Sequence, residues 1–211
     1  MSYFDDYRVT SPFGWRTSPI NGKKEFHTGI DLVKKHQEPI YTFVAGKVLF
    51  AGHGQAGSGF GGYGNVVAVR DKYGALHCYC HLDSYIVRAG ENVERGKMIG
   101  RQGTTGQSTG SHLHYEIRKT SSPQYGWIAD RANNCFEPSE YLQDYYHKEQ
   151  QERERERQTN EASSWAKSSQ TWVIDNGISD GKRPKDPLTR EEMWAMLQKY
   201  DNFIIRRGKN D

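Results

Sequence analysis

Polar and apolar side chains alternate along the stretch His112-Leu113-His114-Tyr115-Glu116-Ile117-Arg118. A period of two is that of a β-strand, so the histidines, the glutamate and the arginine share one face. The preceding residues 103–110, Gly-Thr-Thr-Gly-Gln-Ser-Thr-Gly, are mostly turn formers. We therefore predict a loop that places both histidines at the edge of a sheet. There the polar face of the strand is expected to form a functional surface.

Residues 76–82 repeat this alternation in a second predicted strand. His77 and His81 share one face of it, and Cys78 and Cys80 share the other. We expect the cysteines to point inward and the histidines outward. The spacing of the two cysteines is shorter than that of a zinc knuckle, so packing in the core is the favoured interpretation of the pair.

The same kind of pattern extends from Val9 to about Lys119 as short apolar or alternating stretches separated by glycine. It predicts an antiparallel, all-β fold for residues 1–143. Residues 144–163 are nearly all charged or polar and predict a solvated helical linker. The remaining residues, 164–211, predict a small α-helical module.

Capping signals define the two helices expected in that module. Ser164 is the predicted cap of the first helix, whose apolar positions include Trp165, Trp172 and Val173, and Asn176-Gly177 is its predicted end. Thr189 and Glu192 form a predicted capping box for the second helix. The apolar face of the second helix consists of Met193, Met196, Leu197 and Tyr200. A unit of roughly 40 residues is near the lower limit for independent folding, so it calls for a neighbour, a ligand or a partner chain, and oligomerisation through it stays open.

Composition excludes several classes of protein. No apolar run in the 211 residues is long enough for a transmembrane helix, and a net charge of +3 is too small to indicate nucleic-acid binding. The first six residues lack the features of a signal peptide, so we expect synthesis and retention in the cytoplasm until another factor releases the protein. Three cysteines, an odd number, fit a reducing compartment without disulfides.

A zinc site is predicted from three residues that lie far apart in the sequence. His27 and Asp31, within His27-Thr28-Gly29-Ile30-Asp31, together with His114, supply two imidazoles and a carboxylate. Catalytic zinc has three such ligands and keeps its fourth position for water. A structural zinc site is the main alternative, but structural sites usually have four protein ligands and favour cysteine. The set therefore favours a metallohydrolase.

Five ordered blocks stand out between residues 8 and 119: Ser11-Pro12-Phe13-Gly14-Trp15-Arg16, His27-Thr28-Gly29-Ile30-Asp31-Leu32, Gly62-Tyr63-Gly64-Asn65, Tyr79-Cys80-His81-Leu82 and Gly106-Gln107-Ser108-Thr109-Gly110-Ser111-His112-Leu113-His114-Tyr115-Glu116. In this order, the blocks resemble the M23 peptidases, the LytM or lysostaphin-type metallopeptidases that cut peptide bonds in peptidoglycan.

The resemblance implies a LytM-type catalytic domain in which His27, Asp31 and His114 bind Zn²⁺. It also implies that His81 and His112 are catalytic residues beside the metal. Zinc would polarise the scissile carbonyl and lower the pKa of its bound water toward about 7. We assign His112 as the general base and His81 as the group that stabilises the oxyanion.

The C-terminal module contains the blocks Trp165-Ala166, Trp172, Asn176-Gly177-Ile178-Ser179-Asp180-Gly181, Arg183-Pro184 and Leu188-Thr189-Arg190-Glu191-Glu192. These blocks resemble a single S-layer-homology-type repeat, of the kind that anchors proteins to cell wall polymers and is found on some phage lysins.

The combined layout is that of a bacteriophage endolysin, which would reach the wall of a Gram-positive host by holin-type release. The expected substrate is peptidoglycan, cut at a D-alanine to diaminopimelate cross-link, with glycine bridges as the second choice. Two alternatives stay open: a virion-associated tail hydrolase, and a non-catalytic, wall-binding activator of amidases. Activators of that kind lose metal ligands, and this chain has all three.

Overall fold

Antiparallel strands dominate the first of two compact units into which the chain divides, between Tyr145 and Tyr146. A computed structural model describes residues 4–160, 166–182 and 187–207. Among the helices of these ranges, none combines the length and the hydrophobicity that a membrane crossing requires.

The strands of the first unit are short, as the glycine-separated pattern predicts. They are β1 Arg8–Ser11, β2 Gly14–Thr17, β3 Lys24–His27, β4 Gly29–Val33, β5 Pro39–Tyr41, β6 Gly46–His53, β7 Asn65–Arg70, β8 Leu76–Leu82, β9 Ser84–Tyr85, β10 Asn92–Val93, β11 Met98–Arg101, β12 Leu113–Arg118 and β13 Cys135–Phe136. The helices of the described residues are α1 Arg131–Asn134, α2 Pro138–Asn160, α3 Lys167–Asp175 and α4 Arg190–Arg207, with a 3₁₀ turn at Gln124–Gly126.

The main sheet has eight strands in the order β1-β4-β12-β8-β7-β6-β10, with β13 paired to β12. Smaller sheets are formed by β5-β11-β9 and by β2-β3. Every strand pairing is antiparallel, which confirms the predicted mostly antiparallel β fold. Strand β12 lies in the middle of the sheet, so the predicted position of its histidines at a sheet edge is wrong.

Both faces of the sheet around β8 are buried, and this corrects the prediction for its histidines. Cys78 and Cys80 are buried as expected, but His77 is also fully buried. The His77 Nε2 atom donates to Asp71 Oδ2 at 3.0 Å, and its Nδ1 atom hydrogen-bonds the Tyr115 hydroxyl at 2.6 Å. Strand β8 lies between two neighbours in a sheet covered on both sides, so its alternation separates two buried faces rather than core from solvent.

Helix α2 begins six residues before the predicted linker helix, at Pro138 rather than at residue 144. Proline is favoured in the first turn, and the Glu137 carboxylate accepts a hydrogen bond from the Glu140 amide at 2.7 Å. Leu142 and Tyr145 are buried, so the first two turns belong to the packed unit. The change of composition near residue 143 therefore marks where the helix becomes solvated. Residues 161–163 of the predicted linker lie outside the described residues.

The C-terminal unit contains the two expected helices, α3 and α4, although Ser164, Trp165 and residues 183–186 lie outside the described residues. Helix α3 ends just before Gly177, which adopts a left-handed φ of 67° as predicted. The predicted capping box is present: the Thr189 amide donates to Glu192 Oε2 at 2.9 Å, and the Glu192 amide donates to Thr189 Oγ1 at 3.2 Å. Much of the predicted apolar face of α4 is solvent-exposed within the described residues, including Leu197 at 54%.

Candidate active site

Three neighbouring strands bring the predicted metal ligands together. His27 ends β3, Asp31 lies in β4, and His114 of β12 is paired directly with Asp31 in the sheet. The His27 Nε2 atom lies 3.1 Å from Asp31 Oδ1 and 3.0 Å from His114 Nδ1. The third side of the triangle, from His114 Nδ1 to Asp31 Oδ1, is 2.9 Å. Gly29 permits the close approach of β4 to β12, because a Cβ atom there would lie 2.3 Å from the Tyr115 carbonyl oxygen.

The geometry of this triangle fits a tetrahedral zinc ion. Ligand atoms at about 2.0–2.1 Å from zinc lie roughly 3.3 Å from one another, close to the separations found here. Two imidazole nitrogens and one carboxylate oxygen are also a normal donor set for catalytic zinc. Within the described residues, no other group of three histidine, cysteine or acidic side chains is arranged to hold a metal ion.

Each ligand is held by a second contact, which leaves its donor atom free for the metal. The His27 Nδ1 atom donates to the Pro12 carbonyl oxygen at 2.7 Å, so Nε2 carries the lone pair. Arg16 Nη1 donates to Asp31 Oδ2 at 2.9 Å, which turns Oδ1 toward the histidines. The His114 Nε2 atom lies 3.6 Å from a Glu116 carboxylate oxygen. Such outer contacts orient metal ligands and tune their basicity.

The pKa of the Asp31 carboxyl lies well below its usual range. Burial by itself would raise this pKa, but the hydrogen bonds with His114 and His27 outweigh that effect. Asp31 is therefore anionic at neutral pH, the form that a metal ligand requires.

His81 reaches the site because the alternation of β8 is broken at this residue. Regular alternation would place His81 on the face of Tyr79, opposite the face of His114. The backbone of His81 instead has a φ of 60°, and the pairing of β7 with β8 shifts register here. Such an irregularity re-aims the side chain. The Nδ1 atom of His81 then donates to the Thr105 carbonyl oxygen at 2.8 Å.

His112 lies beside His81, with 4.8 Å between their ring centroids. The His112 Nδ1 atom donates to the Gly110 carbonyl oxygen at 2.8 Å, within the predicted loop that leads into β12. The His112 Nε2 atom lies 3.5 Å from Asp31 Oδ1. In the neutral tautomer that these contacts select for each ring, Nδ1 carries the proton and Nε2 the lone pair. Burial, with His114 and His112 nearby, lowers the pKa of His81 to about 3.

A cavity of about 240 Å³ opens over these residues and has all five predicted site residues in its lining: His27, Asp31, His81, His112 and His114. The three metal-ligand candidates and the two catalytic candidates thus face one space that a substrate can enter. An accessible site with three protein ligands is the arrangement of catalytic rather than structural zinc.

The rest of the polar face of β12 is not a working surface, contrary to the prediction. Glu116 and Arg118 are fully buried. Arg118 Nε donates to Glu116 Oε1 at 2.5 Å, and Arg131 Nη2 donates to Glu116 Oε2 at 2.7 Å. Tyr63 donates to the same carboxylate at 2.9 Å, and the Thr28 hydroxyl is a further donor. Burial would raise the pKa of Glu116, but Arg118 and its other partners hold that pKa well below the usual range.

Sequence reasoning missed Arg16 and Arg131 as supports of the site. Arg16 belongs to a block that carried the family resemblance, so its position offered a signal. Arg131 lies in a region without a recognisable pattern, and no signal in the sequence points to its contact with Glu116.

Comparison of the sequence with known protein families assigns the segment that contains the five predicted site residues to a family. Residues 25–125 match the model of peptidase family M23. This segment of the chain belongs to that family. M23 peptidases are zinc metallopeptidases, and the M23 domain described here carries the histidine–aspartate–histidine group that suits zinc.

Among relatives, the DD-carboxypeptidase/endopeptidase Mpg of Neisseria meningitidis is 40% identical over 116 residues, which cover 55% of this chain and 25% of that protein. The peptidoglycan DD-endopeptidase ShyC of Vibrio cholerae is 36% identical over 145 residues, or 64% of this chain and 32% of that protein. The chain thus spans a third or less of these curated relatives. The catalytic domain of the antimicrobial peptidase lysostaphin from Staphylococcus simulans matches with a TM-score of 0.55 and 27% identity, over 67% of this chain and 96% of that one.

Proposed function

We propose that this protein is a zinc-dependent peptidoglycan endopeptidase that hydrolyses the D-alanine to diaminopimelate cross-link. The observation that carries the proposal is the triangle of His27, Asp31 and His114 atoms beneath a cavity that also contains His81 and His112. Support for this bond comes from Mpg and ShyC, which are named for DD-endopeptidase activity and share more identity with this chain than lysostaphin does.

In this proposal, the chain binds zinc through His27 Nε2, Asp31 Oδ1 and His114 Nδ1. When bound, zinc supplies a Lewis acid for the scissile carbonyl and lowers the pKa of water. The His112 Nε2 lone pair, close to Asp31, accepts a proton from the attacking water as a general base. His81 stabilises the oxyanion. Because its Nδ1 proton is engaged by the Thr105 carbonyl oxygen, His81 donates to the oxyanion from Nε2 as an imidazolium, which it forms by taking over, from the neighbouring His112, the proton that His112 accepts from water.

The proposal predicts metal-dependent release of defined peptide ends from purified walls. Walls with diaminopimelate cross-links and walls with pentaglycine bridges would be digested with zinc and with a chelator, and new termini identified by mass spectrometry. We expect new D-alanine carboxyl ends and diaminopimelate amino ends, which disappear with the chelator because the ligand triangle then holds no metal. New ends only at glycine bridges would refute the assigned bond, and no new ends in either wall would refute the activity.

We also propose that the C-terminal unit binds a wall polymer, in the manner of an S-layer-homology repeat. Exposed aromatic and apolar side chains on both helices, such as Trp172 and Trp194, support a binding role for this unit. With a chelator present to prevent cleavage, the full chain should pellet with purified walls, and a chain that ends at residue 160 should remain in solution. Equal pelleting of both chains would contradict wall binding by the C-terminal unit.

The biological setting that we propose is host lysis by a bacteriophage endolysin acting on a Gram-positive wall, after synthesis in the cytoplasm and holin-type release. The order of a proposed wall-cleaving domain, a charged helix and a proposed wall-binding unit along the chain supports it. Detection of the protein in purified virions would instead favour a tail hydrolase.

A further inference from the structure

A second cavity, of about 460 Å³, adjoins the active-site cavity. The two cavities share the lining residues Arg16, Pro19, Asp31, Thr109 and His112. They therefore form one groove that passes the metal-ligand triangle and continues along β1. An extended peptide bound across the triangle would lie with one of its arms in this second cavity.

The walls of the second cavity are mostly polar and include two arginines, only one of which is paired with carboxylates among the described residues. Thr10, Ser11 and Ser111 contribute hydroxyl groups. Arg16 is paired with Glu25 and Asp31, both at 2.9 Å. Arg8 lines the same cavity, is exposed, and has no ion pair or side-chain hydrogen bond with the part of the chain that the structure describes. A free guanidinium in a polar groove is suited to bidentate binding of a carboxylate.

The sheet register sets how far this cation lies from the reacting centre. Ser11 is paired with the metal-ligand candidate Asp31, whereas Arg8 is paired with Val33. The pairing is irregular between Val9 and Ser11. On β4, Val33 lies two residues from Asp31, which corresponds to roughly 7 Å, a distance that an extended peptide covers in about two residues. A carboxylate bound by Arg8 would thus lie two or three residues from the scissile bond.

We propose that the second cavity is a substrate subsite in which Arg8 binds a free carboxylate of the stem peptide, and that the enzyme thereby selects acidic over amidated cross-links. This inference rests on the proposed endopeptidase function. It adds a residue that determines specificity, because a stem peptide with diaminopimelate carries free carboxylates at this range, whereas a glycine bridge carries none.

The test compares two soluble cross-linked peptides that differ only in whether the diaminopimelate carboxylates are free or amidated. We expect the unaltered enzyme to prefer the acidic peptide by roughly tenfold to a hundredfold in kcat/KM, the scale of a charge-assisted hydrogen bond. Arg8→Ala should remove this preference, mainly through a higher KM for the acidic peptide. Arg8→Lys should keep part of it, and Arg8→Glu should reverse it.

Arg70→Ala is the matched control, because Arg70 is an exposed strand arginine that lines neither cavity. This variant should retain both rates. Equal losses on the two peptides in Arg8→Ala would show a purely structural role and overturn the inference. Cleavage of both peptides with no preference would overturn it while leaving the proposed function intact. Cleavage of neither peptide would remove the proposed function and this inference with it.

Discussion

Replacement of His114 by alanine should abolish zinc binding and wall cleavage together. His114 Nδ1 is one corner of the ligand triangle, 2.9 Å from Asp31 Oδ1 and 3.0 Å from His27 Nε2. Two remaining ligands cannot hold the metal in a tetrahedral site against water, and every catalytic effect of zinc is lost with it. We expect a loss of activity on the order of a thousandfold or more.

The measurement combines zinc content after dialysis with the rate of wall solubilisation. His147→Ala is the control, since His147 is an exposed histidine on α2 that contacts Gln151 and lines neither cavity. It should bind zinc and cleave walls normally. A folded His114→Ala variant that retains one zinc ion and normal activity would show that the metal site lies elsewhere.

Glu116→Gln should produce the largest loss of stability among single substitutions near the site. The Glu116 carboxylate is fully buried and is the shared acceptor for Arg118 and Arg131. A neutral amide would leave two guanidinium groups without an anionic partner in a region from which water is excluded. Breaking a buried charge pair in this way costs about 3–5 kcal/mol of unfolding free energy.

Urea unfolding of the variant and of the unaltered protein would measure this loss. Glu94→Gln, at an exposed position, should change stability by less than about 0.5 kcal/mol. The double variant Glu116→Gln with Arg131→Met should recover part of the loss, because it removes one of the unpaired cations. A loss below about 1 kcal/mol for Glu116→Gln alone would be inconsistent with a network that depends on this charge.

The loss of stability in Glu116→Gln should depend on pH, and the lowered pKa of the Glu116 carboxyl sets the direction of this dependence. The pKa of Glu116 is lowered in the folded protein, so its contribution to stability is complete above the unfolded value of about 4.3. That contribution is lost as the pH falls below this value toward the folded pKa. The difference in stability between the unaltered protein and Glu116→Gln should therefore shrink on acidification and stay constant near neutral pH.

Much of the site could be predicted because its chemistry is local in sequence. The two-residue spacing of His112 and His114 predicts a strand with both histidines on one face. The block that contains His27 and Asp31 supplies the other two candidate ligands. The sheet then brings them together through the pairing of His114 with Asp31, which a single sequence does not display. The resemblance to M23 peptidases supplied that information in its place.

The remaining errors have a physical origin in the middle of the sheet. Strict alternation assumes a regular strand with one face toward solvent, whereas β8 is buried on both faces and irregular at His81. A left-handed histidine has no signature in sequence, because only a few per cent of residues other than glycine adopt this conformation. Arg131 reaches Glu116 from 15 positions away through a segment without periodicity, so its role becomes visible only in three dimensions.

The contacts that support the three candidate metal ligands define the segment of this chain that can be exchanged with another M23 domain. Arg16, which fixes Asp31, precedes the segment that matches the M23 family, and Arg131, which pairs with Glu116, follows it. A chimera joined at residues 25 and 125 would keep all three candidate ligands and both proposed catalytic histidines but lose both arginines. Junctions before Arg8 and after Tyr145 transfer the ligands together with the framework that holds them.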